Sequence, residues 1–265
     1  MIPITTLADR LPRHAVQKCD WTTFPAPCND RGVRPYNQYC PIARAAEILG
    51  DRWTILIVRE FLNGSRHFNE LARGLPGISR TLLQRRLERL ARFGLLERRA
   101  SGDGRSEYHL TPAGEELQRA VWDLGRWGAR WALAEPRPEE LDPALLLWWM
   151  HRRINLDLLP RQRVVVQFNF HSKRGKTLWL VLERGNASVC RDAPGFDADL
   201  LVTADIGAFY HVWMGGVTLA GAIDQGLVQI DGPPALIRAF PHWLQLSRFA
   251  DVVRGSVTPK LNPTR

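Results

Sequence analysis

The sequence predicts an α+β protein in two units: a helical N-terminal unit closed by a basic hairpin, and a C-terminal unit built on an antiparallel sheet. Three observations predict it. Apolar residues recur at helical spacing from Pro41 to Arg92 and again beyond Pro112. A Pro-rich, charged connector, AEPRPEELDP, interrupts that pattern from Ala134. After it, RVVVQFNFH and TLWLVLE alternate with period two and are rich in β-branched and aromatic residues, as strands are. The predicted limits are an irregular arm over 1–35, a first domain over 36–133, a linker over 134–142, a second domain over 143–250 and a tail over 251–265.

The first unit divides into elements by its stop signals. PIARAAEILG reads as a short helix ended by Gly50. Asp51 is expected to cap the next, RWTILIVREFLNG. Its Trp53, Leu56, Ile57, Val58 and Phe61 leave little polar face, so it belongs in the core. HFNELAR, 67–73, is a third helix, and Pro76-Gly77 breaks the chain after it. Ser79 can cap a fourth helix that turns Leu82, Leu83, Leu87 and Leu90 inward. Arg80, Gln84, Arg85 and Arg89 fall mainly on its other side, and Gly94 ends it. LLERR and SEYHL are two short strands joined by 101–105, whose Asp103-Gly104 is a hairpin signal.

Thr111 caps a long helix with Pro112 at its first position. Leu117, Val121, Leu124, Gly128 and Trp131 form a stripe along it, and Trp122 and Trp127 add aromatic surface. So much apolar surface on one helix predicts a partner, most simply a second copy of the chain. In the second unit the order is a helix over 143–154, the two long strands, two shorter ones (ASVCR, LLVTAD), and helices near 206–214, 217–225 and 233–247 with the strand LVQIDG before the last.

Net charge is +9, and its distribution is local. Residues 73–105 carry nine Arg against three acids, a balance of +6, whereas 134–265 carry 15 Lys and Arg against 13 acids. An arginine-studded helix running directly into a basic two-stranded tip suits a DNA major groove and its flanking phosphates. The longest apolar run, Ala144 to Met150, is too short for a bilayer, and no signal peptide is visible, so the cytoplasm is the expected compartment. Four Cys at irregular spacing do not make a disulfide framework or a standard zinc motif. HExxH, GxSxG, GxxxxGK[ST] and GxGxxG are absent, so neither an enzyme nor a cofactor is expected.

The segment 40–133 resembles the winged helix-turn-helix regulators of the HxlR family. The resemblance is carried by Tyr39-Cys40-Pro41, Gly50-Asp51-Arg52-Trp53-Thr54, Arg66, Phe68, Leu71, Ile78-Ser79, Leu82, Arg86-Leu87, Leu90, Gly94-Leu95, Tyr108, Leu110-Thr111, Gly114 and Leu117. It implies a homodimer on a pseudo-palindromic double-stranded DNA operator, with the helix over 79–93 in the major groove. Matched by position, Ser79, Arg80, Thr81, Gln84 and Arg85 become the base readers, since Arg pairs with guanine and Gln with adenine edges. Arg98, Arg99 and Arg105 become phosphate or minor-groove contacts. For Arg86 and Arg89, pairing with surface acids is the open alternative. Cys40 occupies the position of a thiol that senses oxidants in many members, and an unreactive half-buried thiol is the alternative.

Residues 143–250 are similar to the SCP2 (sterol carrier protein) fold through Ala198-Asp199-Leu200-Leu201-Val202-Thr203, Gly215-Gly216-Val217, Ala222-Ile223, Gly226-Leu227-Val228 and Ile230-Asp231-Gly232. That resemblance implies an apolar tunnel for a hydrophobic effector, with Phe168, Phe170, Trp179, Phe209, Trp213 and Ile223 as candidate lining; the same residues could equally fill a core. The expectation is a DNA-binding transcriptional regulator. The competing one is a lipid or small-molecule carrier that meets DNA or acidic surfaces without sequence preference.

Overall fold

A computed structural model of the chain describes residues 35–100, 106–171 and 176–256. Four helices come first: α1 (Pro41–Leu49), α2 (Thr54–Leu62), α3 (Phe68–Gly74) and α4 (Arg80–Arg92). They lead into a two-stranded ribbon, β1 (Leu96–Ala100) and β2 (Ser106–Leu110), and then into α5 (Pro112–Trp131). This is the expected helix-turn-helix with a wing. Ile57, Val58, Phe61, Leu71, Leu83, Leu87 and Leu90 form its core at helical spacing, all but fully buried. Side chains cap the helices as expected: Ser79 Oγ accepts from the Leu82 N–H at 3.2 Å, and Thr111 Oγ1 from the Gly114 N–H at 3.3 Å.

Asp51 does not cap α2. The helix begins at Thr54, after Trp53 in a left-handed conformation with φ of 81°. The Asp51 carboxylate instead receives Arg86 at 2.5 Å and also the guanidinium of Arg89. Two charge-assisted contacts outweigh one cap bond to a backbone N–H. Arg89 goes on to donate to the Glu47 carbonyl at 2.8 Å, so α4 is tied to α1 and to the entrance of α2.

The second unit contains α6 (Pro143–His151), then β3 (Val164–His171), β4 (Lys176–Glu183), β5 (Asn186–Cys190), β6 (Leu200–Asp205), α7 (Ile206–Trp213), α8 (Leu219–Asp224), β7 (Val228–Asp231), α9 (Pro234–Trp243) and α10 (Ala250–Gly255). The sheet order is β5-β4-β3-β6-β7. β3 is antiparallel to β4 but parallel to β6, so the sheet is mixed rather than antiparallel. Alternation tells which face of a strand is buried, not its neighbour or its direction. One face buries Val166, Phe168, Phe170, Leu178, Leu180, Val202 and Ala204 together with residues of α6, α7 and α9.

Helices α6 and α9 stop at His151 and Trp243, short of the expected 154 and 247. One contact ends both: Ile154 and Leu244 form a β-bridge, with the Asn155 N–H donating to Trp243 O at 2.8 Å. The expected tail from 251 begins as α10, which packs against α5. There Gly125 is required by contact, since a Cβ would stand 2.4 Å from the Phe249 ring.

The two units are joined through buried polar chemistry. Glu60 of α2 is fully buried and accepts from Arg59 at 2.8 Å and from Trp148 Nε1 of α6 at 3.3 Å. A buried carboxylate needs such partners. Gly74 leaves the space for it, because a Cβ there would meet Glu60 Oε2 at 1.9 Å. Arg152 donates across the same junction to Asn63 O at 2.9 Å.

Candidate nucleic-acid interface

Helix α4 separates its arginines by depth. Arg86 and Arg89 are held inward by Asp51, and Arg89 is only 9% exposed, so the expectation that Arg89 lies on the outer side is corrected. The open alternative for these two resolves as pairing, with Asp51 rather than Glu88 as the acid. The sequence signal was faint: two Arg three apart on one helix, whose partner stands 35 and 38 residues away.

Four of the five candidate base readers meet on the outer face. Arg80, Thr81, Gln84 and Arg85, with Phe68 and Glu88, line one shallow hollow. Ser79, the N-cap just before them, uses its hydroxyl oxygen for the cap. Arg80 donates to Asn69 Oδ1 at 3.1 Å and lies 4.9 Å over the Phe68 ring. Gln84 donates to Glu88 Oε1 at 2.8 Å. Thr81 and Arg85 are exposed and have no side-chain partner among the described residues. The four thus form a polar surface with donors and acceptors in one patch, two of them steadied by neighbours.

The wing divides its cations. Arg98 and Arg99 are adjacent on β1, opposite Tyr108 and Glu107, so their side chains alternate between the ribbon's faces. Arg98 donates to Ser106 Oγ at 2.6 Å, and Arg99 pairs with Glu97. Arg105 and the Asp103-Gly104 turn lie outside the described residues, as do Cys19 and Cys28.

Cys40 is a half-buried free thiol at the N-terminus of α1, and its carbonyl accepts the Arg44 N–H at 3.1 Å. The Arg44 guanidinium, one turn further along α1, is engaged by Glu47 at 3.0 Å. The Tyr36 N–H also donates to Glu47, and these two hydrogen bonds, the backbone one first, hold that carboxyl below its ordinary pKa. Glu47 is the anchor that places the chain just before Cys40.

The stripe on α5 is partly used within the chain. Trp122 is covered by Phe249, ring centroids 6.3 Å apart, and by Arg248 at 5.0 Å. Leu124 and Trp127 remain 48% and 52% exposed.

The candidate pocket residues do not converge. Phe168, Phe170 and Phe209 are buried to 2% exposure or less and pack on one another at 5.7 Å, so they are core. Trp179 pairs with Gln167 on the opposite face of the sheet, and Ile223 is 40% exposed on α8. Trp213 does line a cavity, and that cavity lies between the two units rather than within the second. Aromatic residues at period two bury against each other as readily as against a ligand. No helix of the described residues is long and apolar enough to cross a membrane.

The family profile of HxlR-like helix-turn-helix proteins matches residues 48–136. An HTH-type transcriptional regulator of Mycobacterium tuberculosis (MT3179) is 45% identical over 100 residues, 37% of this chain and 61% of that protein. The chain thus spans less than two thirds of that relative's length. The regulator YvaP of Bacillus subtilis is 35% identical over 98 residues, 36% of this chain and 91% of that protein. Among solved structures, the reduced form of the transcriptional regulator YodB from B. subtilis is 28% identical, covering 36% of this chain and 96% of that one at a TM-score of 0.32. With YvaP matched over nearly its whole length and the same segment carrying the helix-turn-helix and its wing, the chain belongs to the HxlR-like helix-turn-helix family.

Proposed function

We propose that this protein is a sequence-specific, double-stranded-DNA-binding transcriptional regulator of the HxlR type, not an enzyme, acting in the cytoplasm as a homodimer. The observation that carries the reading is the outer face of α4, where Arg80, Thr81, Gln84 and Arg85 form one exposed polar patch on a helix locked from behind by Asp51. Arg85 and Gln84 read base edges. Ser79 fixes the helix start, and Arg98, Arg99 and Arg105 grip phosphates and set register. The two-fold partner covers Leu124 and Trp127 on α5. The second domain is an SCP2-like unit, a reading supported by its short apolar motifs and by a five-stranded sheet with helices packed on one face. Cys40 is the candidate thiol switch.

Selection of bound sites from random duplex DNA tests the reading, and enrichment of no motif would sink it. Arg85→Ala is expected to cost about 1–3 kcal/mol at the one base pair it reads and to relax preference there. Equal weakening on every sequence would favour a carrier that binds DNA non-specifically. Trp127→Glu is expected to shift sedimentation from dimer toward monomer. A role for Cys40 requires loss of binding under a thiol oxidant, recovery with reductant, and neither effect in Cys40→Ser.

A further inference from the structure

A cavity of about 210 Å³ opens where the two units meet. Its walls include Trp122 of α5, Trp149 of α6, Trp213 of α7 and Phe249. Trp149 and Trp213 stack with centroids 5.9 Å apart and planes 20° from parallel, so a flat ring can extend the stack. Four arginines, Arg59, Arg152, Arg153 and Arg248, line the same space, and among the described residues no Asp or Glu does. Arg59 is answered by Glu60 at 2.8 Å. For the other three, no carboxylate stands within ion-pair distance among the described residues. Arg152 and Arg153 donate only to carbonyls, of Asn63 and Leu246, and Arg248 lies over the Trp122 ring. Trp213 is only 8% exposed, and its Nε1, a donor with no accepting capacity, has no acceptor among the described residues. Flat apolar walls with donors and no acceptor of charge specify a flat, apolar, anionic ligand.

We infer that this cavity binds a small aromatic carboxylate, its ring system against Trp149 and Trp213 and its carboxylate on the guanidinium groups of Arg153 and Arg248. Arginine's planar fork fits a carboxylate with two parallel hydrogen bonds. Burial first, and the Arg248 charge second, lower the pKa of Arg153; an anion between the two arginines relieves that like-charge contact. A neutral ring would leave both cations unanswered, and an aliphatic acid would forgo the stack. The volume lies below the roughly 300 Å³ at which pockets for drug-sized ligands begin, which selects one or two fused rings. Arg59, Asn63, Trp122 and Leu133 belong to the winged unit and the remaining wall to the second unit, so the ligand bridges the two.

The probe is 2-naphthoate, with 2-naphthylmethanol as its uncharged counterpart, titrated into the full-length protein by calorimetry and by intrinsic tryptophan fluorescence. Saturable naphthoate binding about tenfold or more tighter than the alcohol is expected, since a charge-assisted pair exceeds a neutral contact by that order. Arg248→Leu, on an exposed side chain whose loss spares the core, is expected to abolish that preference, and Trp213→Phe to weaken both ligands. No saturable binding, equal affinity for acid and alcohol, or a preference intact in Arg248→Leu would overturn the site. DNA is absent from the assay, so this site and the operator-binding reading fail independently.

Discussion

The winged unit and the sheet unit spend their informative residues on opposite sides. In the winged unit the aliphatic residues go inward at regular spacing, and the polar residues Arg80, Thr81, Gln84 and Arg85 stay outside. In the sheet unit the conspicuous residues, Phe168, Phe170 and Phe209, go inward and pack on one another. A polar residue left exposed on a rigid helix is available to a partner. An aromatic residue on a strand has another protein surface competing for it, and here that surface prevails. The chemistry of the second unit appears instead at its border, where Trp213 and the arginines after α6 face the first.

Four measurements press on that contrast. The largest effect is expected for Phe168→Ala, at about 3–5 kcal/mol of stability by denaturant unfolding, because a ring held by three other aromatics leaves a cavity that cannot close. A cost below about 1 kcal/mol would mean that the ring borders open space, as an apolar tunnel would require.

Next is pH, read at the junction. Burial, then the neighbouring Arg152 charge, lower the His151 pKa from 6.5 to about 4. The neutral imidazole is therefore the folded form. Its contribution is complete above 6.5 and is lost as pH falls from 6.5 toward 4, with a slope of up to about 1.4 kcal/mol per pH unit for one proton. His151→Gln is expected to flatten the stability profile in that window, and an unchanged slope would place the ring in water.

Asp51→Ala comes third, at about 1–3 kcal/mol, because Arg86 and Arg89 lose their shared acceptor. It also sharpens the contrast, since weaker DNA binding with unaltered base preference would show that the inner arginines position α4 while the outer ones read. The smallest is Thr111→Ala, about 0.5–2 kcal/mol, which removes the cap of α5 and is expected to leave the sheet unit's exchange protection unchanged.

Much of the winged unit was legible because its signals are local. Ser79 and Thr111 cap the helices they precede, Gly94 follows the end of α4, and the leucines of α4 repeat at helical spacing. Asp51 misled for the same reason: adjacent to a helix start it resembles a cap, but two cations from a helix far along the chain compete for it. In the sheet unit, alternation marked β3 and β4 as strands, yet it put Trp179 with Phe168 and Phe170 although it lies on the opposite face, and could not show that β6 enters beside β3 in parallel. Helix ends moved where Ile154 and Leu244 met, and α10 formed where a tail was expected, both through contacts between distant segments.

By itself the sequence determined the order of the elements from α1 to α9 and the local concentration of positive charge. Caps, periodicity and charge act between near neighbours, and near neighbours are written next to each other. Only the tertiary structure decided which arginines of α4 face outward and which are clamped, which aromatics are core, and that an arginine-lined aromatic cavity lies between the units. Those outcomes depend on competition among groups separated by tens of residues, and spacing along a chain does not record which competitor wins.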